Sequence, residues 1–447
     1  MLDPIADSFY LSLFDTAKEE FLAQRESVVD HDGGSDDVLP RVRAVLDGRD
    51  PERGLSPADA ALLLSVVRAA PVGEARAAII AAATKLRFEC FADDVATMVP
   101  IEVTSYCASG CKFCGWRADN KDMVRLAISE EAIREQAKIL AGQGFSHFEI
   151  AGGDHLSFLK NDLADLIAGL KEETTAINPE SRVSLCLVPM HEQQYADLRD
   201  VGLDCVLTWQ ETYDKELYDF HIPTGPKATG IDLEFNITRD GNGYLQRLKS
   251  QERAIRAGLQ AGMGAMIGLS PITEADVLSV MLHGQKLLEH YDDEIQPLII
   301  GMPAWNPITT VGTDNRDALG FDFDVENNFE LLSAIYLLAF PNRMAWVFAN
   351  GRVAPEVQTA SVRTAACFTS TCVQIAPGAY LDIDAQLGTT DRKRLFVRSS
   401  VEPEKLTNER VLAGEQFVHY YLTHGDFLDL FSEQGLEVVN DRSLLVV

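Results

Sequence analysis

From about residue 97 onward the chain alternates between two kinds of pattern. Short apolar, β-rich runs are followed by stretches whose apolar positions recur at helical spacing. The runs are Met98–Ser105, His147–Ala151, Val183–Val188, Cys205–Glu211, Gly264–Leu269, Ile295–Gly301, Met344–Phe348 and Cys372–Ala376. After the first run, Ile133, Ala137, Leu140 and Ala141 fall on one helix face, with Ser129 placed to cap it and Glu130 and Glu131 in its first turn. Val277–His290 and Phe329–Leu338 are helical by the same pattern. Strands alternating with helices imply parallel βαβ units, and eight of them imply an α/β fold of the (β/α)8 TIM type. Its working loops would lie at the C-terminal ends of the strands.

The flanks read differently. Ala58–Ala70 and Gly73–Leu86 are rich in helix formers, with Ser56 and Pro57 as a plausible cap and first-turn pair; Asp30–Asp37 is a polar Gly/Asp loop. The tail is charged at Asp391–Arg394 and apolar later. The expected organisation is a helical extension over 1–95, a barrel over 96–385 and a C-terminal extension over 386–447 that packs on the barrel. No internal repeat is visible.

Composition narrows the function classes. An apolar content of 46% suits a sizeable core. No run of about 18 apolar residues predicts a membrane span. Met1–Tyr10 has acids and no basic residue, unlike the start of a secretory signal, so a cytoplasmic protein is expected. The formal charge of −29 disfavours nucleic acid and anionic membranes and favours cationic partners, although solubility alone also accounts for it.

The chemistry is concentrated in one segment. Tyr106–Trp116 reads YCASGCKFCGW, with Cys107, Cys111 and Cys114 spaced Cys-x3-Cys-x2-Cys directly after the first strand. Three thiolates on one loop can hold three irons of a [4Fe–4S] cubane, whose fourth iron then stays open. Zinc sites usually pair two Cys-x2-Cys elements, and no second pair follows here. Cys367 and Cys372 are too few for a second cluster and are read as core residues.

This motif and its setting resemble the radical S-adenosylmethionine (SAM) superfamily. They are most similar to the branch holding the tyrosine lyases of thiamine and hydrogenase-cofactor synthesis and the tryptophan lyase of nosiheptide synthesis. The resemblance rests on an ordered series: PIEVTS at Pro100–Ser105, the cysteine loop, AGGDH at Ala151–His155, WQETY at Trp209–Tyr213, HIPTGPK at His221–Lys227, GYLQRL at Gly243–Leu248 and GAMIGLS at Gly264–Ser270. It implies a [4Fe–4S] cluster and SAM as cofactors, and a flavodoxin- or ferredoxin-type electron donor. It also implies cofactor contacts from Phe113, Gly152, Gly153, Asp154, Gln210, Glu211, Arg247 and Gly268. Asp154 stands where the family has Glu.

Two departures bear on the substrate. The lyases carry a sixth-strand motif resembling F-P-R-L-R-P, whose arginine is expected to clamp a carboxylate. Here the stretch is MPAWNP, with Ala304 and Asn306 at the arginine positions. Glu102 stands where the lyases usually have Tyr, and an insertion at Ala228–Asn242 adds Asp232, Glu234 and Asp240. A lost arginine and gained acids favour an amine-rich substrate. The resemblance then points to the radical SAM diol dehydratases of apramycin and lividomycin biosynthesis. That resemblance implies paromamine as substrate, with hydrogen abstraction at C4′, loss of the C3′ hydroxyl as water, and a separate NADPH-dependent reductase downstream. On this reading Glu102, Asp232 and Glu234 are catalytic, and Glu102, Trp305 and Asn306 bind substrate. The alternative is a lyase of an aromatic amino acid, tyrosine or tryptophan.

Overall fold

The computed structural model describes residues 2–29, 38–68, 73–239, 241–292, 295–308, 323–441 and 444. The Asp30–Asp37 loop, Ala69, Ala70 and Asp240 lie outside the described residues. Eight parallel strands form the core: β1 (Asp94–Glu102), β2 (His147–Ala151), β3 (Arg182–Cys186), β4 (Cys205–Glu211), β5 (Gln260–Ala265), β6 (Leu298–Gly301), β7 (Ala345–Ala349) and β8 (Phe368–Ser370). β8 pairs back onto β1, Ala96 with Phe368 and Met98 with Ser370, so the sheet closes into a barrel. Strands covered on both faces read as near-continuous apolar runs, and β1 is buried from Val95 to Glu102.

The helix Glu130–Gly142 forms as its sequence predicts. The Ser129 side chain accepts from Ala132 N at 3.2 Å, and Ile133, Ala137 and Leu140 are buried against the barrel. The N-terminal helices Asp7–Val29 and Pro57–Ser65 pack on the barrel helix Thr273–Tyr291, and Glu74–Phe91 packs on Val325–Ala339. Ser56 caps Pro57–Ser65.

At the far end of the chain, β9 (Glu437–Val439) pairs parallel to the start of β1. Just beyond it the buried Asp441 carboxylate binds His147 Nδ1 at 2.9 Å and Arg182 Nη1 at 2.8 Å. Burial opposes the charge on Asp441, yet these two partners hold it ionised down to about pH 2. Among the described residues, no helix is long and apolar enough to cross a membrane.

Two strands differ from their sequence pattern. The fifth begins at Gln260 rather than Gly264. Its Gly262 and Gly264 conceal it, because they replace β-formers where neighbours crowd in. A Cβ on Gly264 would sit 2.1 Å from Gly301 O, and one on Gly301 2.2 Å from the Trp209 ring. The last strand is Phe368–Ser370, not Cys372–Ala376. Cys372 has φ of 55°, which turns the chain out of the sheet, and Val373 and Ile375 line the barrel mouth instead. Their apolar character reflects cavity lining, not strand pairing.

Candidate active site

The cysteine loop leaves β1 and is pinned from three sides. Ala108 N donates to Asp154 O at 3.1 Å, Gly110 N to Thr224 O at 3.0 Å and Lys112 N to His221 O at 2.8 Å, while Gly115 N reaches Gln416 O at 2.9 Å. A Cβ at 110 would lie 2.4 Å from Thr224 Oγ1, so any larger residue there would have to turn that hydroxyl away. Cys107, Cys111 and Cys114 line one cavity with Gly152, Asp154 and Lys227. N–H groups point at their sulfurs: Ser109 N at 3.4 Å and Asp154 N at 3.3 Å from Cys107 Sγ, and Gln416 Nε2 at 3.0 Å from Cys114 Sγ, which the Trp116 backbone also reaches.

This donor set fits a [4Fe–4S] cluster. Burial pushes the Cys111 thiol up to about 12, so a bare thiolate is disfavoured there until a metal ion compensates its charge. Donors aimed at sulfur are what a cluster's negative charge calls for.

Beside the thiols lies a polar wall. A Cβ on Gly153 would meet Tyr106 O at 2.4 Å, so only glycine lets the chain pass the cysteine loop so closely. The Asp154 carboxylate accepts from Ser109 Oγ. Between Trp209 and Glu211 the β4 register shifts, and Glu211 has φ of 72°. Such a bulge re-aims a side chain. Glu211 thereby meets Arg247 Nη2 at 3.0 Å and Lys227 Nζ at 3.6 Å. Arg247 Nε donates to Trp209 O at 2.6 Å, and its buried Nη1 has no protein partner. One guanidinium donor is therefore left for a ligand.

The larger cavity at the mouth, about 150 Å³, joins this wall to a second one. Trp209 and Phe348 stack at 6.1 Å and 11° within its lining. Glu102 and Glu149 also line it. The pairing of Pro100 with Glu149 and Glu102 with Ala151 sets the two acids on neighbouring strands, both buried. Glu102 Oε2 has no hydrogen-bond partner. Burial and the neighbouring Glu149 push Glu102 up to about 8, with Arg352 pulling the other way; burial pushes Glu149 up to about 7. Arg352, from the loop after β7, faces them. Its Nη1 donates to Ala304 O at 3.3 Å, and its guanidinium lies over the Phe417 ring at 3.8 Å.

The expected residues divide accordingly. The cysteines, Phe113, Gly152, Asp154, Glu211 and Arg247 line the main cavity or its cluster end, Gly153 the cluster end alone, and Glu102 the main cavity with Glu149. Other expected residues are not brought there. Asp232 accepts from Glu234 N, Asn236 N and Asn236 Nδ2, so its carboxylate closes its own surface turn, and Glu234 is exposed. Asn306 uses its amide on Arg352 O and Val418 O, and Trp305 N is tied to Ile267 O. Neither lines the cavity, nor does Gly268 or Gln210. Gly268 has φ of 86° and serves the turn after β5; both amide atoms of Gln210 are buried without a protein partner.

Sequence reasoning missed Glu149, Lys227, Arg352 and Gln416. Glu149 was findable, since strand alternation gives it the inward parity of Ala151. Lys227 ends the quoted HIPTGPK segment. Arg352 and Gln416 carried no local signal. The supposed loss of the clamp arginine is thus corrected in part. An arginine returns to the same cavity from β7, bonded to the backbone of Ala304.

Comparison with known proteins agrees with this geometry. Residues 101–282 match the Radical SAM superfamily. The cofactors of that superfamily, a [4Fe–4S] cluster and SAM, are those of this chain.

The chain is 28% identical over 211 residues to 2-iminoacetate synthase of Escherichia coli (strain K12), covering 47% of this chain and 50% of that protein. It is 23% identical over 218 residues to the [FeFe] hydrogenase maturase subunit HydE of Thermotoga maritima, covering 49% and 55%. The chain thus spans about half the length of these curated relatives. The solved structure of the FeFe-hydrogenase maturase HydG from Carboxydothermus hydrogenoformans superposes with a TM-score of 0.72 at 17% identity, over 97% of this chain and 85% of that one. At that identity the likeness is one of fold.

Proposed function

We propose that this protein is a radical SAM lyase acting on a small substrate that presents an ammonium group to Glu102 and Glu149. The observation that carries the reading is the buried Glu102 carboxyl, a lining residue of the cavity whose Oε2 has no partner and which sits beside a second acid. Buried acids of this kind are tolerable when a ligand cation completes them. When bound, the reduced cluster and SAM supply a 5′-deoxyadenosyl radical for hydrogen abstraction. The chain does the rest. Cys107, Cys111 and Cys114 hold the cluster, Asp154 and Arg247 take the ammonium and carboxylate of SAM, and Trp209 and Phe348 exclude water from the bound substrate. Electrons come from a flavodoxin- or ferredoxin-type donor, in the cytoplasm.

Within that class the relatives favour an aromatic amino acid, tyrosine or tryptophan. Arg352 then takes the carboxylate, with Glu102 and Glu149 on the amine. A second reading is favoured by the presence of two acids where one ammonium needs one. It is C3′ dehydration of an aminoglycoside such as paromamine, with each acid on a sugar amine and a separate NADPH-dependent reductase acting on the ketone. Arg352→Gln separates the two. It raises KM about tenfold or more for a substrate whose carboxylate it binds, by loss of a charge-assisted hydrogen bond, whereas for paromamine, which has no carboxylate, it acts only through the charge on the neighbouring acids and causes no such rise.

A further inference from the structure

The C-terminal segment Gly414–Val418 crosses the barrel mouth and is tied down at each step. Trp116 Nε1 donates to Gly414 O at 2.8 Å, and Gly115 N donates to Gln416 O at 2.9 Å. Phe417 packs under Arg352, and Val418 N donates to Pro307 O at 3.0 Å. The cysteine loop is shaped to receive this strap. A Cβ on Gly115 would sit 2.5 Å from Gln416 O, so the residue after Cys114 has to be glycine.

At the centre of the strap, Gln416 Nε2 lies 3.0 Å from Cys114 Sγ, across 302 residues of sequence. Both ends of this residue are thus fixed, its carbonyl by Gly115 and its amide by the sulfur. Gln416 also stands outside the segment shared with the superfamily, residues 101–282.

We propose that Gln416 is a positioning residue that sets the reduction potential of the cluster through Cys114. The physics is electrostatic. Reduction adds one electron to a buried cluster whose thiolate ligands are already negative. An N–H dipole directed at a ligand sulfur stabilises that added charge and raises the potential. The N–H donors to Cys107 are backbone groups, Ser109 N in the loop and Asp154 N after β2, and no side-chain change removes them. Cys114 takes a hydrogen bond from the Trp116 backbone as well, but Gln416 is a side chain on another part of the chain, so it can vary without altering the cluster's ligands.

The inference rests on the reading of Cys114 as a cluster ligand. Iron analysis of the wild-type protein checks that reading separately: a protein that binds no cluster sinks it before Gln416 is tested.

The test is an anaerobic redox titration of the reconstituted protein without SAM, read by electron paramagnetic resonance, on wild type, Gln416→Leu and Gln416→Glu. Leucine removes the donor; glutamate keeps the length and adds an acceptor and negative charge. At a fixed potential the ratio of reduced to oxidised cluster is expected to fall about tenfold in Gln416→Leu, which is about 59 mV for a one-electron couple. It should fall further in Gln416→Glu. A strap with a merely structural role would change iron content or melting temperature and not this order of potentials. Wild-type potential in either variant with full iron content, or loss of iron from both, overturns the proposal.

Discussion

The two walls of the barrel mouth were built in different ways. The cofactor wall comes from β1, β2, β4 and the segments just after them, all within residues 101–282, and its charged groups are mostly paired inside the protein. Glu211 has Arg247 and Lys227, and Asp154 has Ser109. The facing wall draws on Glu102 and Glu149 but is completed by Arg352 and Phe417, from the loop after β7 and the C-terminal extension. There Glu102 Oε2 has no partner in the protein, while Glu149 is hydrogen-bonded by Cys186. The contrast teaches where specificity sits. A wall that closes its own charges holds a constant ligand, whereas a wall that leaves a buried carboxyl open awaits a ligand that closes it.

The largest effect should break the cofactor wall outright. Changing Cys107, Cys111 and Cys114 together to Ala should reduce iron from about four per chain to none, by iron analysis after anaerobic reconstitution. A full cluster in that variant would remove the basis of the whole assignment.

Next comes Asp154→Asn, which keeps the shape and removes the charge. SAM affinity should fall about tenfold to a hundredfold, with the cluster's absorbance unchanged, since a hydrogen bond to a charged group contributes about 1.5–3 kcal/mol. Undiminished affinity, by anaerobic calorimetry, would show that Asp154 does not face SAM.

On the opposite wall, Glu102→Gln should raise substrate KM about tenfold and leave substrate-independent SAM cleavage intact. The same variant gives a substrate-free test of the wall's chemistry. The folded protein holds a proton on Glu102 up to about pH 8, whereas an unperturbed carboxyl releases it near 4.5. The native state therefore binds more protons than the unfolded state between those values, and this group's contribution to stability falls as pH rises through that window. Glutamine has no such proton. The melting temperature of the variant should gain on wild type steadily from about pH 5 to about pH 8. Parallel curves would mean that Glu102 is ionised and satisfied in the protein.

The smallest effect is expected outside both walls. Asp232→Ala and Glu234→Ala should change stability by no more than about 0.5 kcal/mol each and leave KM unchanged. A marked rise in KM would bring the surface turn at 232–236 back into the site.

The same contrast explains what the sequence disclosed. The cofactor wall was legible because its parts are short-range. Three cysteines lie within one loop, two glycines and an acid end one strand, and Ser129 and Ser56 cap helices by local rules. The barrel followed from alternation, except where Gly262 and Gly264 weakened the β5 signal and where Val373 and Ile375 imitated a strand while lining a cavity. Glu102 was legible as an acid on a buried strand. Arg352 and Gln416 were not, since each acquires its role from a neighbour distant in sequence, Ala304 for one and Cys114 for the other. Asp232 and Glu234 of the 228–242 insertion misled for the opposite reason. Their proximity in sequence to the strand-four motif does not bring them into the cavity, because Asp232 satisfies itself locally and Glu234 is exposed.

The account stands most directly on whether the open wall reads an ammonium group. The measurement is release of 5′-deoxyadenosine and product by the reconstituted protein under anaerobic conditions, with SAM and reductant, followed by mass spectrometry. Tyrosine, tryptophan and paromamine are each compared with their N-acetylated forms. The account predicts release above the substrate-free background with at least one free amine, and its loss when that amine is acetylated. Equal release from an N-acetylated compound, or none from all three free amines, would contradict it.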